Sequence, residues 1–204
     1  MQPLALFLHT WERCDHLTAL HAYIARNVAG VLKPDELLRA EWVARVSALD
    51  LYVHELVAQR MLAIFNGMVA KSPAYQEFRI PNDAVHRIQS AQNPTIAANA
   101  FDLEVRKQLS IQTYQHPEKI AGGIRLCSMV ELWNEVALLT REDPKQLKAI
   151  LTAIVERRNK IAHEGDMQPT VPRIPWPIAA ADLALVSSTI ERIVRGIDKV
   201  VNRP

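Results

Sequence analysis

DPKQLKAILTAIVERRNKIAHEGD, from Asp143 to Asp166, decides the fold. Asp143 is a residue type that caps helix N-termini, and the proline after it suits the first turn, where an N–H would have no partner. Leu147, Leu151, Ile154 and Ile161 then recur at helical spacing. Gly165, ahead of Pro169, supplies a left-handed stop.

The same periodicity extends outward in both directions. Downstream, the four prolines of MQPTVPRIPWP, Pro169 to Pro177, enforce an extended loop, and Ile178 to Val201 rebuilds an amphipathic terminal helix. Upstream, Leu126, Val130, Trp133 and Ala137 make one apolar row, and Phe101, Val105 and Leu109 make another. Pro117 and the pair Gly122-Gly123 read as the interruption between them. The prolines at 73, 81 and 94 leave room only for short helices such as Asp83 to Ser90, so Lys71 to Thr95 reads as a connection across the bundle. A long helix is predicted from Pro34 to about Phe65, with Leu38, Trp42, Val46, Leu49, Val53, Leu56 and Met61 on its apolar positions. At about 1.5 Å per residue it would be roughly 45 Å long. A first helix is predicted from about Thr10 to Asn27, with Gly30 and Pro34 marking the break after it.

No segment alternates apolar with polar residues long enough to propose a strand. The fold class is therefore all-α, a helical bundle of five to seven helices in a single domain over residues 1–204, with its core at about 10–200. Of 204 residues, 49% are hydrophobic and 23% charged, which excludes wholesale disorder. Lys plus Arg at 24 against Asp plus Glu at 22 excludes a basic field over the whole molecule, so any nucleic-acid role must come from a local patch. Cys14 and Cys127 cannot build a disulfide framework and read as reduced thiols. No apolar run is long enough to span a bilayer, and MQPLALFLHTWERCDH does not have the form of a secretory signal. The expectation is a cytoplasmic protein with no membrane partner.

Chemistry concentrates in IVERRNKIAHEGD, Ile154 to Asp166. On the row Leu147, Leu151, Ile154 the next position is Arg158, so an arginine interrupts a core-facing stripe. Such an arginine meets a carboxylate, lines a cleft, sits at an interface reached by an anion, or packs its stem while its head reaches water. His163 lies about 140° further round. Asn159, one turn before His163, stands on the same face and can orient the imidazole. The last turn of a helix favours a protonated histidine, which suits proton transfer; a histidine that merely caps the helix is the plainer alternative. Arg157 and Lys160 add charge that either neutralises flanking phosphates or is simply solvated. Asp50 and His54, one turn apart on the long helix, are either partners of Arg158 or of a bound RNA, or a polar contact fixing helix register. Cys14, His16 and His21 lack a fourth ligand at a usual spacing and read as ordinary helix residues, so no metal or other cofactor is assigned. Trp11, Trp42 and Trp133 read as core; Trp176, in the proline-rich loop, is the candidate for stacking on a base.

Arginine, a polar residue, three further positions and histidine form the RNxxxH version of the Rx4-6H motif of HEPN domains. RRNKIAHEGD resembles the form found in the RiboL-PSP subgroup, SALDLYVHELV (Ser47 to Val57) resembles its early-helix signature, and ELWNEVA also fits. The resemblance covers roughly residues 10–200. It implies an all-α bundle that pairs into a homodimer through the motif helices, and a metal-independent endoribonuclease in a defence or toxin–antitoxin setting, with an inhibitory antitoxin protein as a further partner. It implies catalytic roles for Arg158, His163 and Asn159: His163 moves protons at the RNA 2'-hydroxyl or the 5'-oxygen, Arg158 holds the phosphate, and Asn159 orients. The products would carry a cyclic phosphate and a 5'-hydroxyl. Some HEPN toxins have a tyrosine two residues after the motif histidine, where an antitoxin modifies them; here that position is Gly165. The alternatives are a non-catalytic dimerisation module that binds RNA or nucleotide, and a sensor holding a small phosphorylated ligand between Arg158 and His163.

Overall fold

In the computed structural model, which describes residues 2–28 and 32–203, the chain is all-α, with nine helices and no strands among the described residues. They are α1 (Pro3–Asn27), α2 (Asp35–Phe65), α3 (Pro73–Gln76), α4 (Asn82–Gln89), α5 (Pro94–Leu109), α6 (Pro117–Arg125), α7 (Leu132–Thr140), α8 (Pro144–Glu164) and α9 (Ala180–Val201). The count exceeds the sequence reading mainly because the connection after α2 folds into α3 and α4. Gly30, expected to mark the first break, lies outside the described residues.

Helix α2 is the spine. It packs against α1, α5, α6, α8 and α9, and a helix enclosed on several sides must be apolar over most of its circumference. Val46, Leu49, Val53, Leu56, Val57 and Met61 are accordingly all buried. The opposite wall is α9, whose Val186, Ile190, Ile193, Val194 and Ile197 join the same core. Gly196 lets α7 approach α9 closely, since a Cβ there would stand 2.8 Å from Val136 Cγ1. Trp11 and Trp133 are core residues as expected, and half-buried Trp42 packs against the core. The indole N–H of Trp42 donates to the Ile154 carbonyl (3.0 Å) and that of Trp133 to Pro117 (2.9 Å). Aromatic N–H groups inside a core need such partners.

Three boundaries differ from the sequence reading. Helix α1 starts at Pro3, because Pro3, Phe7, Trp11 and Cys14 already form its buried face. Gly122 and Gly123 do not interrupt anything; both lie inside α6, where Gly123 makes room for the Tyr114 ring, 2.7 Å from where a Cβ would stand. Leu126 caps α6 and Val130 lies in the following link, so the row assigned to one helix is split between two elements. No helix among the described residues is long and apolar enough to cross a membrane.

The start and stop of α8 follow its sequence signals. The Asp143 carboxylate accepts from the backbone N–H groups of Lys145 and Gln146, each at 2.9 Å. Gly165 takes the left-handed conformation at φ 63°, and Asp166 follows at φ 56°. That reversal turns the chain into the proline-rich loop and sets Asp166 beneath the helix it has just left.

Candidate functional site

Arg158 faces the interior, as its place on the apolar row requires, and is half-buried there. Its Nη2 donates to the side-chain carbonyl of Gln115, a residue of the link between α5 and α6. Gln115 is itself anchored: its amide nitrogen donates to Asp50 Oδ2 at 2.6 Å. The other Asp50 oxygen accepts from the Tyr114 backbone N–H at 2.6 Å, and His54 Nε2 lies 3.5 Å from it. The His54 and Tyr114 rings meet edge to face at 4.7 Å. Burial alone would raise the Asp50 carboxyl; the hydrogen bonds from His54, Gln115 and the Tyr114 backbone outweigh it and hold the group below its ordinary range. Burial pushes the Tyr114 phenol up to about 12, with Cys127 and Asp50 adding to the shift.

Asp50 and His54 therefore reach Arg158 only through Gln115, a residue the sequence reading passed over. The consequence is electrostatic. Arg158 is held in place by a neutral amide, and no carboxylate pairs with its guanidinium among the described residues. Its Nε is buried with no partner there. The Arg158 charge is thus held at a fixed position and not neutralised by a carboxylate there.

The neighbouring arginine is treated in the opposite way. Arg157 Nη2 donates to Asp166 Oδ2 at 2.7 Å and to the Pro177 carbonyl at 3.2 Å. Asp166 is fully buried, and its Oδ2 also accepts from Arg39 Nε of α2 at 2.9 Å. Arg39 Nη2 in turn donates to the Trp176 carbonyl at 2.6 Å, while the Trp176 N–H donates to the Asp166 carbonyl at 2.7 Å. Of the two charges placed beside the motif, Arg157 is thus committed to an internal clamp, whereas Lys160 is exposed and unpaired among the described residues.

His163 is exposed on the last turn of α8. It lines an open pocket of about 560 Å³ together with Lys160, Glu164, Met167, Arg173 and Trp176. Arg158 does not line this pocket, so one chain does not bring Arg158 and His163 together there. Asn159 is half-buried, and no hydrogen bond joins it to His163 among the described residues. The side chains of Cys14, His16 and His21 do not converge, and no three metal-ligating groups do so among the described residues.

Sequence reasoning missed Gln115, Arg39 and Asp166. Gln115 had no signal, because a polar residue in a link looks like any other. Arg39 was legible in principle: it follows Leu38 on a helix surrounded by others, where a charge has to find a buried partner. No family model, no curated protein and no solved structure matches the chain.

Proposed function

We propose that this chain is an endoribonuclease of the HEPN type, acting as a homodimer in which Arg158 of one protomer and His163 of its partner close on one phosphodiester. The observation that carries the reading is the state of Arg158, fixed by Gln115 yet not neutralised, on a helix that spells RNxxxH. Arg157, by contrast, is matched to a carboxylate, Asp166. An arginine held by an amide keeps its charge for an incoming anion. The divergence of Arg158 and His163 supports a composite site, because two motif helices crossing at a two-fold axis bring the unlike residues face to face.

The reaction needs only groups of the protein and of RNA. A base, His163 in its neutral form, takes the proton of the 2'-hydroxyl, and the 2'-oxygen forms a bond to phosphorus as the bond from phosphorus to the 5'-oxygen breaks. The 5'-oxygen leaves with a proton returned by an acid, and Arg158 holds the negative charge that builds on the non-bridging oxygens. The products are a 2',3'-cyclic phosphate and a 5'-hydroxyl. The setting we favour is defence or toxin–antitoxin control, with a protein inhibitor as partner.

The test is cleavage of mixed cellular RNA by the purified protein in the presence of EDTA, with the fragment ends identified. Activity is expected from the unaltered chain, none from Arg158→Ala or His163→Ala alone, and partial recovery when the two inactive variants are mixed. Full activity in either single variant at an unchanged melting temperature would overturn the reading.

A further inference from the structure

The pocket beside His163 has features that cleavage chemistry does not require. We infer that it is a nucleotide subsite, in which the Trp176 indole takes a nucleobase on its face while Lys160 and Arg173 take the adjoining phosphate. This deepens the reading above, and rests on it only for the expectation that the nucleotide belongs to an RNA strand.

Three observations carry the inference. The first is composition: a volume of about 560 Å³ lies in the range of small-ligand sites, and its wall combines an aromatic surface with two cations. Glu164 is the only acidic residue lining it among the described residues. The second is availability. Neither Lys160 nor Arg173 has an ion-pair partner, and no hydrogen bond engages the Trp176 indole N–H, among the described residues. Stacking with a nearby cation is the chemistry by which proteins hold single nucleotides without reading their sequence.

The third observation is preorganisation. Trp176 sits in a loop without helix or strand, yet both of its backbone polar groups are gripped: the N–H by the Asp166 carbonyl at 2.7 Å and the C=O by Arg39 at 2.6 Å. Asp166, between Arg39 and Arg157, ties that grip to α2 and α8. Within the loop, the Gln168 N–H donates to the Ile174 carbonyl at 2.8 Å and the Gln168 side-chain amide to Pro175 at 3.1 Å. A half-buried tryptophan whose backbone is held so firmly beside open space leaves a ligand only its side chain to order.

The grip is on the backbone, so Trp176→Ala removes the indole and leaves every hydrogen bond of the clamp. The experiment measures binding of a fluorescein-labelled 2'-O-methyl RNA of roughly eight nucleotides, which cannot be cleaved, and of adenosine monophosphate. The unaltered chain is expected to bind the oligonucleotide. Trp176→Ala should weaken that binding roughly ten- to a hundredfold, Trp176→Phe should restore most of it, and Arg173→Ala should weaken it and reduce its salt dependence by about one ion. Mononucleotide binding with the same dependence on Trp176 would support the subsite and identify a free nucleotide as its occupant. Failure of the unaltered chain to bind either probe, or equal binding by Trp176→Ala and Arg173→Ala at unchanged melting temperature, would overturn it. Trp176-dependent binding without any cleavage would defeat the nuclease reading and leave the subsite. Cleavage with binding indifferent to Trp176 would do the reverse.

Discussion

Arg157 and Arg158 are adjacent on one helix and lead opposite lives. Arg157 is spent on a carboxylate with no exposure to water, in a clamp that reaches back to α2. Arg158 is spent on nothing charged; a glutamine holds it, and an aspartate holds the glutamine. The first arrangement neutralises its cation and fixes the fold around it. The second separates the two tasks, positioning the cation through an uncharged link while the fixed negative charge stays one residue away. Neighbouring arginines in a sequence can therefore meet unlike partners, one an acid that neutralises it and the other an amide that does not.

The comparison breaks most visibly at Asp166. Asp166→Asn removes the carboxylate shared by Arg39 and Arg157 and leaves only the exposed Glu36 beside Arg39, and loss of one member of a buried ionic group costs about 3–5 kcal/mol. At this chain length that is a fall of roughly 10 °C in melting temperature, read by calorimetry or circular dichroism. A change of a degree or less would show that the clamp contributes nothing.

Next in size is the conversion of one arrangement into the other. Gln115→Glu places a carboxylate on Arg158 and should lower cleavage by about 10²-fold or more, the scale of losing one charge-stabilising donor; it also replaces the amide that donates to Asp50 with a second carboxylate, so the melting temperature should fall as well. Undiminished cleavage in that variant would show that the free charge of Arg158 has no part in the reaction. Gln115→Ala removes both bonds of the link, to Arg158 and to Asp50, and leaves the Arg158 charge in place; hydrogen bonds to charged groups are worth about 1.5–3 kcal/mol each, so stability should drop by about 2 kcal/mol or more in denaturant titration.

These contrasts were only partly legible in the sequence. Helix α8 was readable end to end, because Asp143, Pro144 and Gly165 act locally and each left its own mark. The apolar row also showed that Arg158 points inward. What it points at was hidden, since Gln115 lies 43 residues away in a link whose conformation depends on Tyr114 packing over Gly123. The glycine pair illustrates the same limit: read locally it breaks a helix, whereas in the folded chain it admits a ring. Asp166 stood at the end of the quoted motif and received no role, because its partners, Arg39 above all, are distant in sequence.

The smallest expected effect is in acid. Hydrogen bonds hold the Asp50 carboxyl below its ordinary range in the folded chain. A depressed carboxyl contributes stability that is complete above its unfolded value of about 3.9 and is lost as pH falls through the folded value. Asp50→Asn should therefore lower stability at neutral pH and make unfolding less sensitive to acid below about pH 4. An acid limb as steep as that of the unaltered chain would mean that the Asp50 anchor has been misjudged.

The clamp also fixes an order of events. Arg39 and Asp166 are 127 residues apart, and Arg39 and Trp176 are 137 apart, so during synthesis the helix carrying Arg39 waits for most of the chain before its partners exist. Contacts that close so long a loop gain little until the bundle beneath them has packed. In pulse-labelled hydrogen exchange during refolding, the Trp176 amide should gain protection after the amides of α2. A chain cut short before Asp166 lacks α9, the wall opposite α2, as well as the loop that carries Trp176, so the pocket beside His163 is the last part of the molecule to be completed.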